Sequence, residues 1–422
     1  VKAAEKPQER LSAHRSASIG FVDKKTEITG YCENSSPGVA GWPASRISAA
    51  LLTGKGHELF ACFPDLGYIS PFPWSRGSPW RQEFTVLLYK SPPESGGASM
   101  EIFTDLNAIT APFPRAHVTI GNFDGVHLGH QMLFDLVVTR ARQNKGASIA
   151  VTFDPHPLKV LSPQGIRLIS TTPQKIELIG RAGIDVLVII PFTRAMAMTT
   201  AGEFVDQVLL DRLGMSDLVV GYDYAMGKGR QGDTVFLRQQ GEEKGFSVMV
   251  MPAHYEQDML VSSSRIRELV ATGKMRDVRR LLGRWYQIRG DVQWGRQRGG
   301  RQLGFPTANL YLSEEDLCPK RGVYVTQVIY DGRQYGGVSN IGYNPTFGDT
   351  TLVAETHIFD FNADIYGRPL KINLLRHLRG EIAFDGIDAL ARQIRRDIEV
   401  ARNVLAKEQQ KRLIAYHQNP GT

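Results

Sequence analysis

The chain has 422 residues, 42% of them hydrophobic, with 50 Lys and Arg against 43 Asp and Glu for a net charge of +7. That length holds two or three domains with ordinary cores, and no run of eighteen apolar residues occurs, so no membrane span is expected. The basic excess is mild and spread out and fits polyphosphate ligands as well as nucleic acid, but no Lys/Arg stripe interleaved with aromatics occurs, so nucleic-acid binding is not expected.

Cys32, Cys62 and Cys318 form no metal-ligand or redox spacing, and a reducing cytoplasm is the simplest compartment. Met100 is the first of the ten methionines, while residues 1–99 hold three of the five tryptophans. Apolar periodicity in 1–99 is poor, and 91–99 reads as a loop or linker. Residues 100–106 then read as an opening strand. Residues 1–99 are therefore expected to be non-native sequence upstream of a start at Met100, or alternatively a disordered extension. Intact mass of the chain from its native host decides, since a mature chain that retains residues before Met100 overturns the first reading.

His117-Val118-Thr119-Ile120 alternates and is β-branched, which predicts a buried strand. Met132, Leu133, Leu136, Val137 and Ala141 recur at helical spacing. Between them lies Gly121-Asn122-Phe123-Asp124-Gly125-Val126-His127-Leu128-Gly129-His130, a strand-to-helix turn. Phosphate binds in such places, where open N–H groups and the helix dipole converge. His127 and His130, three apart, share one face of an exposed first turn and can donate hydrogen bonds to charge that develops during phosphoryl or nucleotidyl transfer. The bland alternative is a glycine turn with two surface histidines.

The stretch resembles the HxGH nucleotidyltransferases. In its longer form it is similar to the adenylyltransferase half of the bacterial bifunctional riboflavin kinase/FMN adenylyltransferases (FAD synthetases). That resemblance implies ATP and phosphate contacts for Gly121, Asn122, Phe123, Asp124, Gly125 and Gly129. The family also commonly begins about twenty residues before this turn, in keeping with Met100.

Residues 148–153 predict a second strand, running into Asp154-Pro155-His156-Pro157, a rigid proline turn. The family places this motif by its nucleotide and flavin, which implies flavin contacts for Asp154, Pro155 and His156. A helix follows over 172–180, a buried strand over 185–190, an amphipathic helix over 201–213 and a strand over 217–220. The loop 221–233, with four glycines, Lys228 and Arg230, reads as an anion loop or a plain turn. Resemblance implies flavin contacts for Asp223, Gly227 and Arg230. Met226 stands where the family usually has an aromatic, which puts flavin stacking there in doubt. After a strand over 246–252 comes Ser262-Ser263-Ser264-Arg265-Ile266-Arg267. Serines before a helix are ordinary N-caps, or, with arginines, a phosphate cradle. The segment resembles the second HxGH signature, which implies ATP contacts for Ser262, Ser263, Ser264, Arg265 and Arg267. The two signatures lie about 135 residues apart, in family order.

From Trp285 the grammar changes to short strands with turn glycines, that of an antiparallel barrel. Gly304-Phe305-Pro306-Thr307-Ala308-Asn309 sets a hydroxyl and an amide oxygen on one side of an extended segment, and both suit Mg²⁺ and phosphate oxygens. Read alone, a proline turn with polar residues is favoured. The segment matches a riboflavin kinase motif, which implies phosphate contacts for Gly304, Pro306 and Thr307 and a Mg²⁺ site at Thr307 and Asn309. Residues 354–361 alternate as a strand with Glu355 on a face that carries aromatics. Glu355 is then either a salt-bridged residue, with Arg379 or Arg376 as partner, or a general base; resemblance implies the latter. Residues 387–407 predict a long amphipathic helix.

The fold expected is α/β: a Rossmann-like HxGH nucleotidyltransferase domain over 100–283, then a riboflavin kinase-type antiparallel β-barrel with a C-terminal helix over 284–422. Resemblance covers about 310 residues. It implies phosphorylation of riboflavin by ATP to FMN and adenylylation of FMN to FAD with release of pyrophosphate, with Mg²⁺ as cofactor. Oligomeric state is left open. Another HxGH enzyme would not explain the barrel, and a flavin-binding regulator would not need Glu355.

Overall fold

The computed structural model describes residues 100–294, 304–346 and 349–418, and three short strands, Ala49–Leu52, Glu58–Cys62 and Phe72–Pro73. These three pair antiparallel in a small sheet of their own. Otherwise the expectation for residues 1–99 falls outside the described residues.

The described residues from 100 to 411 form one compact unit. Its first layer is a six-stranded sheet: β1 (Glu101–Phe103), β2 (Ala116–Ile120), β3 (Ser148–Asp154), β4 (Val186–Pro191), β5 (Met215–Gly221) and β6 (Ser247–Met251). All neighbours are parallel, in the order β1-β4-β3-β2-β5-β6. Every residue of β2 is buried, as a parallel strand covered on both faces must be. Helices α1 (Leu128–Gln143) and α3 (Thr172–Arg181) cover one face through Phe134, Val137 and Ile179, with the five-residue α2 (Pro157–Leu161) between them in sequence. Leu237 of α4 (Thr234–Lys244) packs on the other. Strand order reverses at β2: the chain runs from it through β3 to β4 on one side and then crosses to β5 and β6 on the other. Ligands of open α/β sheets bind at the carboxyl end of that switch point, where the 121–130 turn begins.

The helix expected over 201–213 differs. A single α-turn, Ala201–Glu203, passes into a π-helix, Phe204–Leu210, marked by i→i−5 bonds from Asp211 to Asp206 (2.8 Å) and from Leu213 to Val208 (3.1 Å). Phe204, Val205, Val208 and Leu209 all reach the same core. Their tertiary burial outweighs the intrinsic preference for the narrower helix.

The second layer is antiparallel: β7 (Tyr286–Asp291), β8 (Ala308–Tyr311), β9 (Gly322–Tyr330), β10 (Arg333–Thr346), β11 (Asp349–Ile358) and β12 (Pro369–Arg379), in the order β7-β12-β9-β10-β11-β8. A bridge from Gln293 N–H to the Asn309 carbonyl (2.9 Å) joins the two ends and closes the barrel. Helix α7 (Ile387–Gln418) lays Ala401 and Val404 on the barrel's outer face, against Trp285, Val325, Phe359 and Leu375.

The barrel interior is not closed off from the first module. Helices α5 (Ser263–Ala271) and α6 (Met275–Leu282) send Ile266, Leu269, Met275, Val278 and Leu281 into one core with Tyr286, Leu310, Tyr324 and Leu374 of the barrel. We place the module boundary at 283/284 as a proposal, and this shared core sets its consequence. Each such side chain contributes about 1.5–3 kcal/mol by burial. A fragment beginning at 284 is expected to lose most of its cooperative thermal unfolding, whereas one beginning at 262 retains it. Equal melting temperatures would show that the α5–α6 contribution is negligible.

Candidate active sites

His127 is the N-cap of α1, and its Nδ1 accepts the His130 N–H at 3.3 Å. That bond puts the His127 proton on Nε2. The two imidazoles stack, centroids 3.5 Å apart at 17°. The exposed turn expected for them is corrected, because His127 is only 7% exposed and His130 stands edge-on to the buried Phe123 ring. Burial holds His127 down to about 3, and drives His130 well below its ordinary value, helped by His127 and Lys175. Both rings are therefore neutral. His130 Nδ1 is buried with no partner.

The loop that delivers them is strained. Phe123 (φ 47°) and Val126 (φ 40°) lie in the left-handed region, which costs of order 1–3 kcal/mol per residue and persists only where surroundings enforce it. Here the enforcement is burial, at 1% exposure for each. The Gly125 N–H donates to Ser170 Oγ at 3.0 Å, and a Cβ there would sit 2.8 Å from Ile169. The Gly121 N–H donates to the Val151 carbonyl. Gly129 lies over the His127 ring, where a Cβ would stand 3.3 Å from Nδ1. Asn122 is exposed, its carbonyl accepting from Thr152 Oγ1 at 3.3 Å.

Two of the residues expected at phosphate have partners within the fold. Phe123 is core, packed on Phe134 as well as His130. Asp124, 2% exposed, accepts from the Ile169 (3.0 Å) and Ser170 (3.1 Å) N–H groups and pairs with Arg267. A carboxylate repels phosphate, and this one ties the turn to the second signature. Ser263 Oγ completes the tie by donating to the Asp124 carbonyl at 2.9 Å. The two signatures thus meet through Asp124. Ser262 is the N-cap of α5, accepting from Arg265 N–H at 3.2 Å. Ser264 is exposed, and Arg265 pairs with Glu268 on its own helix.

The β3 motif lies beside the turn, as the β2–β3 register requires. Asp154 accepts from Thr172 Oγ1 at 3.1 Å and is followed by Pro155. His156 caps α2 by accepting the Leu158 N–H at 3.1 Å, and burial lowers it to about 4. The 221–233 loop makes no hydrogen bond to the 121–130 turn among the described residues. Arg230 donates to the Asp223 carbonyl (3.1 Å), and Gly227 (φ 75°) presses on Ala201, where a Cβ would lie 2.5 Å from its nitrogen. Met226 is buried in the core. The side chain at this position therefore contributes to packing.

Two residues of this site were missed by the sequence reading. Lys175 on α3 is 6% exposed, with Nζ 3.4 Å from Thr152 Oγ1. A lysine four positions before the fully buried Ile179 was the available signal. Arg284 donates to the carbonyls of Gly125 (2.7 Å) and Val126 (3.1 Å), reaching back from the first residue of the barrel module. Gln131 joins the Val126 carbonyl to that of Leu282 (2.8 and 3.0 Å). Charged hydrogen bonds are worth roughly 1.5–3 kcal/mol each. Arg284→Ala is expected to slow chemistry at the 121–130 turn about tenfold or more through misplacement of the loop, with chemistry at the barrel site unchanged. Equal losses in both would make Arg284 a general stability residue.

On the barrel, Leu310 and Ala354 face the core, so their strand neighbours Asn309 and Glu355 face outward. Glu355 lies directly opposite Asn309 on β8 and Asn340 on β10. Burial raises its pKa above 4.5. The salt-bridge alternative is not formed among the described residues: Arg379 pairs with Asp397 at 2.7 Å, Arg376 is exposed, and Glu355 has no ion pair there. Thr307 is half-buried two residues before Asn309. The segment that carries it is pinned by His357 Nδ1–H, which donates to the Pro306 carbonyl at 2.9 Å, while Gly304 (φ 79°) turns the chain at its exposed start.

A parallel sheet with an HxGH turn at its switch point, joined through a shared core to a six-stranded barrel with its own polar cluster, defines a two-module phosphate-transferring enzyme. The family model described as FAD synthetase matches residues 111–265, and that described as riboflavin kinase matches 282–405. The bifunctional riboflavin kinase/FMN adenylyltransferase of Pseudomonas fluorescens is 37% identical over 73% of this chain and 98% of its own length. That of Escherichia coli K12 is 33% identical over 70% and 95%. A solved structure titled as a macrolide-efflux protein from Streptococcus pneumoniae superposes with a TM-score of 0.65, at 31% identity over 72% of this chain and 99% of that one. Among the described residues no helix is long and apolar enough to cross a membrane. The chain belongs to the bifunctional riboflavin kinase/FMN adenylyltransferase family.

Proposed function

We propose that the barrel site converts riboflavin and ATP to FMN and ADP, and that the 121–130 turn converts FMN and ATP to FAD and pyrophosphate. The observation that carries the first assignment is Glu355, a half-buried carboxylate of raised pKa with no cation beside it among the described residues. In the kinase step Glu355 accepts the proton of the ribityl 5′-hydroxyl as its oxygen attacks the γ-phosphoryl group. Thr307 and Asn309 offer one hydroxyl and one amide oxygen, hard donors that fit Mg²⁺ only when ATP phosphates complete the shell. Mg²⁺, when bound, neutralises phosphate charge. In the transferase step the FMN phosphate attacks the ATP α-phosphate in line and pyrophosphate leaves. Neutral His127, through Nε2–H, and His130 donate to the charge that builds, while the 262–267 segment holds phosphate.

Supporting this division, the two donor sets lie on different sheets within one compact unit. Incubation with riboflavin, ATP and Mg²⁺ followed by flavin chromatography tests it. FMN and FAD are the expected products; no flavin conversion rejects both activities, and FMN without FAD rejects the second.

A further inference from the structure

Bringing FMN phosphate to ATP sets two polyanions side by side, so an adenylyl-transfer site needs positive charge inside it. The two histidines do not supply it, because both are neutral. Arg267 is already neutralised by Asp124, and Arg265 by Glu268. Lys175 is different. Its ammonium is buried at 6% exposure, and its hydrogen bond is to the hydroxyl of Thr152, 3.4 Å away. Among the described residues no carboxylate comes within 4.0 Å of it. Burial lowers its pKa from the ordinary lysine value, Asp124 and Asp154 oppose that only at longer range, and it in turn bears on His130 and His156. It therefore stands between the HxGH turn and the β3 motif.

A buried cation without a counter-ion is unfavourable in the free protein. A phosphate at the switch point would supply the missing negative charge. We infer that Lys175 is a phosphate-neutralising residue of adenylyl transfer, meeting the anionic oxygens where the FMN phosphate and the ATP phosphates come together. This rests on the reading of the 121–130 turn as the adenylyl-transfer site. Lys175 belongs to α3, an element to which neither signature extends, and its role is to hold charge, not to move a proton.

The test uses the full chain with Lys175→Met, which keeps the apolar stem and removes the charge, and Lys175→Arg, which restores charge in a larger group. Both are assayed beside the His127→Ala/His130→Ala variant. FMN adenylylation by Lys175→Met is expected to fall about a hundredfold or more, by analogy with loss of one transition-state donor. The loss should lie mainly in kcat, with riboflavin phosphorylation unchanged. Its melting temperature without nucleotide should equal or exceed that of the parent, since an uncompensated buried charge has gone. Lys175→Arg should recover part of kcat. A Lys175→Met rate within about threefold of the parent, with the double-histidine variant inactive, overturns the inference and leaves the reading of the turn intact. If both variants keep the parental rate, the turn itself is misassigned. A lowered melting temperature with equal loss of both half-reactions makes Lys175 a structural residue and also overturns the inference.

Discussion

The His127→Ala/His130→Ala variant is expected to form FAD at least about a hundredfold more slowly while making FMN at the parental rate. One lost donor to developing charge costs on the order of 3 kcal/mol. Two donors acting as a unit are not additive, so the double loss need not reach the square of that factor. Stability is a separate matter, because His127 caps α1 and both rings fill space above Phe123. Loss of an N-cap removes about 1 kcal/mol. His127→Asn keeps a capping acceptor and removes the imidazole, and it should therefore recover melting temperature without recovering FAD synthesis. The pH response follows from the direction of the shifts. A histidine whose folded pKa is held to about 3 destabilises the fold as pH drops below its unfolded value near 6.5. The parental protein should thus lose stability between about pH 6.5 and 3 more steeply than the double variant. FAD formation at the parental rate by the double variant would sink the assignment.

Glu355→Gln should slow riboflavin phosphorylation by about a hundred- to ten-thousandfold, the usual contribution of a general base. Supplied FMN should still become FAD. The two readings of Glu355 predict opposite changes in stability. In a salt bridge, loss of the charge would lower the melting temperature. Here burial raises the pKa, with no cation beside the group among the described residues, so the folded state holds the proton more tightly than the unfolded chain. Ionised Glu355 therefore reduces stability above its folded pKa, and that penalty vanishes as pH falls below the unfolded value. At neutral pH Glu355→Gln should melt at the same temperature as the parent or higher. The kinase rate should also lose activity on the acid side at a pH above the ordinary glutamate value of 4.5, since only the carboxylate accepts a proton. A full kinase rate together with a lowered melting point would falsify the role of base.

The sequence alone determined the elements whose signals are local. Alternation in 117–120, helical spacing from Met132 and the change to short strands after Trp285 are set by backbone periodicity and burial. Those three signals specify a parallel sheet, a strand-to-helix turn and a barrel. His127 and His130 stood out as candidates through their spacing at a strand-to-helix turn, whereas Asn309 and Glu355 were singled out by resemblance to the riboflavin kinases. The tertiary structure decided what depends on partners distant in the chain. Asp124 looked like a ligand contact, yet it clamps Ile169, Ser170 and Arg267, which are 45 to 143 residues away. Met226 looked like a missing ring beside a flavin, yet it points into the core. The 204–210 segment becomes a π-helix because four side chains must reach one sheet face. Lys175 carried only its helical spacing before Ile179 as a local signal, which does not show what faces its ammonium, and nothing local marks Arg284 as holding a loop about 160 residues earlier. Local periodicity fixes which elements form. Packing decides which side chains lose water, and a charge or a hydrogen bond acquires its function only from that loss.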